Sequence, residues 1–204
     1  MYKHQKICPT RVLGESHEQI PKGELKILSL QESGRISAHA SKVLQNEVFV
    51  IMTDDKISEI AQNDKLIVSL GNLWLMKNAG NKLKRKYYTS SHMRGAARLL
   101  VNVQKLTNMP SSFSELLKPG HFDDFVKGAL LTASPNLDDE EDLKSPSTAL
   151  KLGYDLKRLV GAKWSIALRE KCSDAVEECK SFLKLMKFEW SIRAPGKVRK
   201  MNFN

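Results

Sequence analysis

The hydrophobic positions of this chain recur at the spacing of amphipathic helices from Ile36 to Met186. One stripe that follows the i, i+3, i+4, i+7 pattern consists of Leu66, Ile67, Leu70, Leu73 and Trp74. A second stripe consists of Met93, Ala96, Ala97, Leu100 and Val103. The apolar run at 48–52 has no partner strand elsewhere in the sequence, so we interpret it as a helix end or a buried connection. These patterns predict an all-α fold, a bundle of about six or seven helices.

Capping residues predict where the helices begin. The N-cap candidates are one of residues 53–55, Asn63 or Asp64, Thr89 or Ser90, Ser112, and Ser145. Ser112 and Glu115 have the spacing of a capping box, and Pro146 follows Ser145 at the first helical position. Gly71 lies inside a predicted helix, where it costs about 1 kcal/mol of helix propensity. This cost is tolerable if another helix packs closely there.

The composition divides the chain into three segments. Residues 1–34 are predicted to be a flexible N-terminal segment, residues 35–190 a helical domain, and residues 191–204 a basic linker. His4 and Cys8 have the H-x3-C spacing of the second half of a zinc finger, but no C-x2-C pair precedes them. A truncated zinc finger and a chance pair in a flexible terminus are equally good interpretations. Because two ligands cannot complete a tetrahedral site, we predict no bound metal.

Positive charge is concentrated around the second apolar stripe. The chain has a net charge of +10, and residues 65–114 contain nine Lys and Arg residues without any Asp or Glu. A region of one charge sign repels itself, and its usual partner is a polyanion. The candidate nucleic-acid-binding residues are Lys82, Lys84, Arg85, Lys86, Arg94 and Arg98. Arg94, Arg98, Asn102 and Lys105 share one helical face, for which a solvated outer face is the alternative interpretation.

The sequence contains none of the familiar catalytic motifs. There is no Walker A loop, no G-x-G-x-x-G, no H-E-x-x-H and no C-x2-C pair. We therefore expect no enzymatic activity and no cofactor. The five consecutive carboxylates at 138–142 lack the alternation and central glycine of an EF-hand, so we interpret them as a solvated loop rather than a metal site. No apolar run approaches eighteen residues and no secretory signal is recognisable, so no transmembrane helix is expected. The expected partners do not include a membrane.

The three cysteines favour a reducing compartment over a disulfide framework. Cys172 and Cys179 lie two turns apart on an apolar stripe, so both are predicted to be small core residues. The expected location is therefore intracellular.

Several segments resemble, in the same order, a family of animal proteins. NDKLIVSLGNLWLMKNAG and YYTSSHMRGAARLL resemble the patterns N-D-x-L-I, G-x-x-L and Y-x-x-x-x-M-R-x-x-A-R-L-L. SPSTALKLGYDLKRL resembles P-S-x-A-L-K-L-G-x-x-L-K-K, the end FEWSIRAPGKV resembles the family's closing segment, and HQKICP is similar to the end of its last zinc finger. That family is similar to tyrosine recombinases of the Crypton type. Gly95 departs from the pattern, which has a bulkier residue there.

The resemblance implies a fold and a role for the helical domain. It implies a core-binding domain that lies between zinc fingers and a catalytic domain and forms half of a clamp around duplex DNA, mainly through phosphates. The matching positions are Arg94 and Arg98, with the basic segment before them. The catalytic Arg, Lys, H-x-x-R and nucleophilic Tyr of such recombinases have no counterparts, so the chain should not cleave DNA by itself.

The expected partner is double-stranded DNA in the nucleus, with no small-molecule substrate. Whether copies associate on DNA stays open. The alternative function is a protein-interaction module whose basic face binds an acidic partner.

Overall fold

All regular structure in the described part of the chain is helical. The computed structural model describes residues 22–34, 36–133 and 146–193. The helices are α1 (Lys22–Glu32), α2 (Lys42–Glu47), α3 (Lys56–Asn63), α4 (Lys65–Lys77), α5 (Lys82–Thr107), α6 (Phe113–Leu116), α7 (Phe122–Ala133), α8 (Pro146–Arg169), α9 (Ser173–Leu185) and α10 (Ser191–Arg193). Single 3-10 turns lie at Phe49–Ile51 and Pro119–His121, and a π-helical turn lies at Met186–Trp190. The prediction of an all-α fold is confirmed for these residues. The described ranges contain more helices than the predicted six or seven, and three of them are no longer than six residues.

The central helix is α5, which contacts α3, α4, α7 and α8. Its predicted inward stripe from Met93 to Val103 is buried. Gly71 of α4 lies so close to α5 that a Cβ atom there would be 2.5 Å from the Met93 Sδ atom. The missing side chain lets the two helices approach each other, which meets the condition under which the glycine is tolerable in this helix. On α4 itself Leu73 is exposed, so the predicted stripe is narrower than its spacing indicated.

The N-caps of the early helices agree with the sequence. Asp55 caps α3 and Asp64 caps α4 through side-chain oxygens that accept backbone N–H groups. Ser112 and Glu115 form the predicted capping box of α6. The second carboxylate oxygen of Asp64 also accepts the N–H of Phe113 at 2.9 Å, which ties the start of α4 to the start of α6. Burial raises the pKa of the Asp64 carboxyl, and the three N–H donors oppose this shift.

The start of α5 differs from the prediction. Its N-cap is Asn81, whose side chain accepts the N–H of Lys84 at 3.3 Å, and Thr89 lies fully buried within the helix. The basic cluster at 82–86 is therefore the beginning of the helix and not a turn before it. Asparagine caps a helix as well as serine or threonine does. The exposed first turns also carry no apolar stripe that would have indicated a helix.

The structure also differs from the sequence interpretation in two segments near the N-terminus. Residues 22–32, expected to be flexible linker, form α1, on which Ile27 and Leu30 are buried in the core. The Lys26 Nζ atom donates to the carbonyl of Met52 at 2.5 Å and joins α1 to the body of the domain. The helix expected from Ile36 begins only at α2, after its N-cap Ser41.

The apolar spacing from Trp164 to Met186 predicts a final long helical stretch, but this stretch belongs to two helices. α8 ends at Arg169, and Lys171 has a left-handed φ of 56°, so the chain turns before α9. Cys172 is exposed at the N-cap of α9, which corrects its prediction as a core residue, whereas Cys179 is buried as predicted. Trp190 is buried near the end of the described chain.

Some predictions concern residues outside the described ranges. These are the zinc-finger remnant at His4 and Cys8, the N-cap Ser145, the acidic segment 138–142, and the basic segment from residue 194 onward. Within the described ranges, no helix is long and apolar enough to cross a membrane.

Candidate nucleic-acid interface

The structure separates the six predicted binding residues into two groups. Arg85 and Arg94 form ion pairs with carboxylates of other helices. The other four carry their charge at or near the surface of α5: Lys82, Lys84 and Arg98 are exposed, and Lys86 is half-buried.

Arg94 joins α5 to the start of α3. Its Nη1 and Nη2 atoms donate to the two carboxylate oxygens of Asp55 at 2.8 and 2.7 Å, and Nη1 also donates to the Ser58 hydroxyl. Only 16% of the Arg94 side chain is exposed. Hydrogen bonds from Arg94 hold the pKa of Asp55 well below its usual range. We therefore assign Arg94 to the fold rather than to the interface.

Arg85 makes a similar pair with Glu47, the last residue of α2. Its Nε atom donates to one carboxylate oxygen at 2.7 Å and its Nη2 atom donates to the other. The hydrogen bonds from Arg85 lower the pKa of Glu47. Arg85 is thus also a contact between helices. Sequence reasoning missed both pairs because Glu47 and Asp55 lie upstream of the acid-free window at 65–114.

A groove lies between α5 and α8, and further cationic side chains line it. The groove has a volume of about 1370 Å³ and also reaches residues of α3, α4 and α7. Its cationic side chains are Arg98, Lys105, Lys151 and Arg158. Tyr88 of α5 and Tyr154 of α8 line it as well. Lys84 lies one helical turn before Tyr88, so its position extends the same face of α5.

Both helices that form the groove have nearly one charge sign. α5 contains no Asp or Glu over its 26 residues, and α8 contains only Asp155 over its 24 residues. A polyanion that approaches the groove therefore meets one carboxylate and several cations.

That carboxylate is buried and has three polar partners. Asp155 Oδ1 accepts from Trp74 Nε1 and from Arg158 Nη1, both at 3.1 Å, and Oδ2 pairs with the His92 Nδ1 atom. The Asp155 side chain is only 3% exposed. Because donors surround it on the protein side, Asp155 contributes little repulsion toward an anion in the groove.

The partners of Asp155 also contact one another. The rings of Trp74 and His92 stack with their centroids 3.9 Å apart and their planes 15° apart. The guanidinium carbon of Arg158 lies 4.6 Å from the centroid of the Trp74 ring. This arrangement fixes the position of Arg158, since both a carboxylate and an aromatic ring hold its guanidinium.

Sequence reasoning missed the contribution of α8 to the interface. The sequence pattern places Lys151 and Arg158 on the outward face of a helix and Tyr154 within its core pattern. The assignment of Tyr154 is wrong, since its side chain is 62% exposed. The spacing of these residues, three and four positions apart along one helix, is a signal that could have been used. Their position opposite Arg98 and Lys105 depends on how α5 and α8 pack, and no local pattern indicates it.

Comparisons with protein-family models, curated proteins and solved structures found no match for this chain. In the described ranges, no three His, Cys, Asp or Glu residues lie together in a way that could hold a metal ion. The candidate interface is therefore defined by its charge and shape.

Proposed function

We propose that this chain is a helical DNA-binding module that contacts duplex DNA mainly through phosphates and carries no catalytic residues of its own. The observation that carries the proposal is the charge of the α5–α8 groove. Its two helices supply several exposed cations and one acidic residue, Asp155, which is buried and bonded to three partners. Lysine and arginine contacts to phosphates position a protein on DNA without reading its sequence.

The proposal extends to the origin of the module as a core-binding domain of a recombinase- or transposon-derived protein. Its support is the placement of the two segments that resemble the Crypton-type patterns. The M-R-x-x-A-R segment lies in α5 and the P-S-x-A-L-K-L-G segment lies in α8, so both line the same groove. A nuclear location follows from this proposal.

The contacts proposed here differ from those predicted by the sequence alone. Arg85 and Arg94 leave the set because carboxylates bind them, and Lys105 and Lys151 enter it because they line the groove. The proposed phosphate-binding residues are Lys82, Lys84, Lys86, Arg98, Lys105 and Lys151. If these six form contacts, log affinity should fall with log salt at a slope of about −5.

The test is fluorescence anisotropy with a labelled duplex of about 30 base pairs at several salt concentrations. The variant is the triple charge reversal Arg98→Glu, Lys105→Glu and Lys151→Glu. We expect its salt slope to be less steep by about 3 and its affinity to fall for every duplex sequence. Circular dichroism verifies that the helices remain.

The matched control reverses three lysines that do not line the groove: Lys180→Glu, Lys184→Glu and Lys187→Glu, all at exposed positions. It has the same net charge as the first variant. Equal loss of affinity in both variants would show that only net charge matters. Absence of binding by the wild-type chain at low salt would overturn the proposal and direct the search to acidic protein partners.

A further inference from the structure

The interior of the α5–α8 groove offers contacts that a duplex cannot use. Between its cations the groove is lined by apolar side chains, including Ile57, Val101, Leu131 and Leu152. In a duplex the bases are stacked and paired, so the phosphates would reach the cations while the apolar lining stayed empty. The groove volume of about 1370 Å³ exceeds that of ordinary small-molecule sites, which hold about 300–1,000 Å³.

Two tyrosines line this groove with most of their surface in solvent. Tyr88 is 53% exposed and Tyr154 is 62% exposed, and they belong to the two opposite helices. In the described part of the chain neither ring stacks on another ring or carries a cation over its face. Base stacking on exposed aromatic rings beside a cationic track is the usual mode of single-strand binding.

The groove between α5 and α8 also has room for a ligand group such as a base. Gly95 lies on the face of α5 that lines the groove, and a Cβ atom there would come within 3.7 Å of a methyl group of Leu152. The glycine thus leaves room that a larger side chain would occupy. Arg158 is held by Asp155 and Trp74 in the wall of the groove, so it is not counted among the phosphate contacts.

We propose that the α5–α8 groove binds a short segment of single-stranded DNA. The bases stack on Tyr88 and Tyr154, and the phosphates bind Arg98, Lys105 and Lys151. This inference rests on the proposed DNA-binding function and narrows it to the kind of strand that enters the groove. A DNA with a single-stranded end can use both binding modes at once. The single strand enters the groove, and the phosphates of the duplex bind Lys82, Lys84 and Lys86 at the beginning of α5. Little sequence preference is expected, since every base has a π face.

The first test compares two oligomers of equal charge. One is an oligothymidylate of about 10 nucleotides, and the other has the same backbone without bases. Anisotropy should give an affinity at least about tenfold higher for the oligothymidylate, because only this oligomer can stack on the tyrosines. Equal affinities would overturn the inference, since they would show that the groove recognises phosphates alone.

The second test removes the stacking rings. The double variant Tyr88→Ala and Tyr154→Ala should lose about tenfold or more in affinity for oligothymidylate and should bind the abasic oligomer as before. The matched control is Tyr87→Ala, because Tyr87 is 61% exposed on α5 but does not line the groove. An equal loss in the control would contradict the inference.

The two proposals fail in different ways. Duplex binding that depends on Arg98, Lys105 and Lys151, together with equal affinities for the two oligomers, would refute the single-strand site and leave the DNA-binding function intact. Failure of duplex and oligomers alike to bind at low salt would refute both.

Discussion

The guanidinium of Arg94 binds both carboxylate oxygens of Asp55, with N–O distances of 2.8 and 2.7 Å. Asp55 is at the same time the N-cap of α3, because it accepts the N–H of Ser58 at 2.8 Å. One carboxylate therefore both starts α3 and ties it to α5. The charge of Arg94 is used inside the domain, although the residue lies in a segment with no acidic neighbour in sequence.

We expect Arg94→Ala to lower the stability of the domain more than its affinity for DNA. Loss of a partly exposed, charge-assisted hydrogen-bonded pair should reduce the free energy of unfolding by about 1–3 kcal/mol. Urea unfolding measures this loss, and anisotropy of the folded variant should give a duplex affinity within about twofold of the wild type. Arg98→Ala is the control. It should lower the affinity for duplex DNA and leave the free energy of unfolding nearly unchanged. An Arg94→Ala protein of normal stability that no longer binds DNA would contradict this assignment.

The same pair predicts how stability depends on pH. Because the pKa of Asp55 is lower in the folded chain than in the unfolded chain, the folded state releases this proton more easily. The stabilisation from the ion pair is complete above about pH 4, the ordinary pKa of an aspartate. It is lost as the pH falls from there through the lowered pKa of the folded state. Asp55→Asn keeps a capping oxygen and removes the charge. The difference in unfolding free energy between wild type and Asp55→Asn should shrink below about pH 4. A difference that stays constant with pH would contradict the ion pair.

The core helices could be predicted because each is amphipathic by itself. The stripe from Met93 to Val103 needs only the 3.6-residue period to identify its buried face. The beginning of α5 lacks such a stripe, since its first turns are solvated, and there the prediction failed. The sequence does not indicate α1 because its apolar residues, Leu25, Ile27, Leu28 and Leu30, form no clear i, i+3, i+4, i+7 stripe. Only the tertiary structure shows that Ile27 and Leu30 pack in the core.

The candidate interface could be predicted only in part. The acid-free window indicated the right helix, and Arg98 and Lys84 are exposed on it. Which of its cations remain available depends on contacts with Glu47 and Asp55, whose partners lie 38 and 39 residues away in sequence. The contribution of α8 likewise requires the packing of two distant helices. Charge composition identifies a region, whereas tertiary contacts decide which charges face a ligand.

Asp155 should be essential for stability because three polar groups depend on it. Asp155→Ala leaves Trp74 Nε1, His92 and Arg158 without their carboxylate, and should reduce the free energy of unfolding by about 2–4 kcal/mol. Asp155→Asn keeps one acceptor oxygen and should reduce the free energy of unfolding by less. Urea unfolding measures this free energy for both variants. A change within the experimental error for Asp155→Ala would contradict the role given to this carboxylate.

Two glycines of α8 provide a matched test of the packing. A Cβ atom on Gly153 would overlap the buried indole of Trp190, including its Cε2 atom at 2.9 Å, whereas nothing lies within 4 Å of the corresponding position at Gly161. Gly153→Ala should therefore destabilise the domain by about 1–3 kcal/mol through overpacking. Gly161→Ala should stabilise it by about 0.5–1 kcal/mol through helix propensity. Thermal unfolding separates the two, and shifts in the same direction would show that Trp190 does not pack on α8.

The two cysteines of the described C-terminal region should react with thiol reagents at very different rates. Cys172 is exposed at the start of α9, while Cys179 is buried, and burial raises the pKa of the Cys179 thiol. In a Cys8→Ser background, Ellman's reagent should modify one thiol rapidly. The second should react only as the domain opens, at a rate that increases with urea below the unfolding midpoint. Cys172→Ser should abolish the fast phase alone. Rapid modification of Cys179 in the folded chain would contradict the packing of α9 on α8.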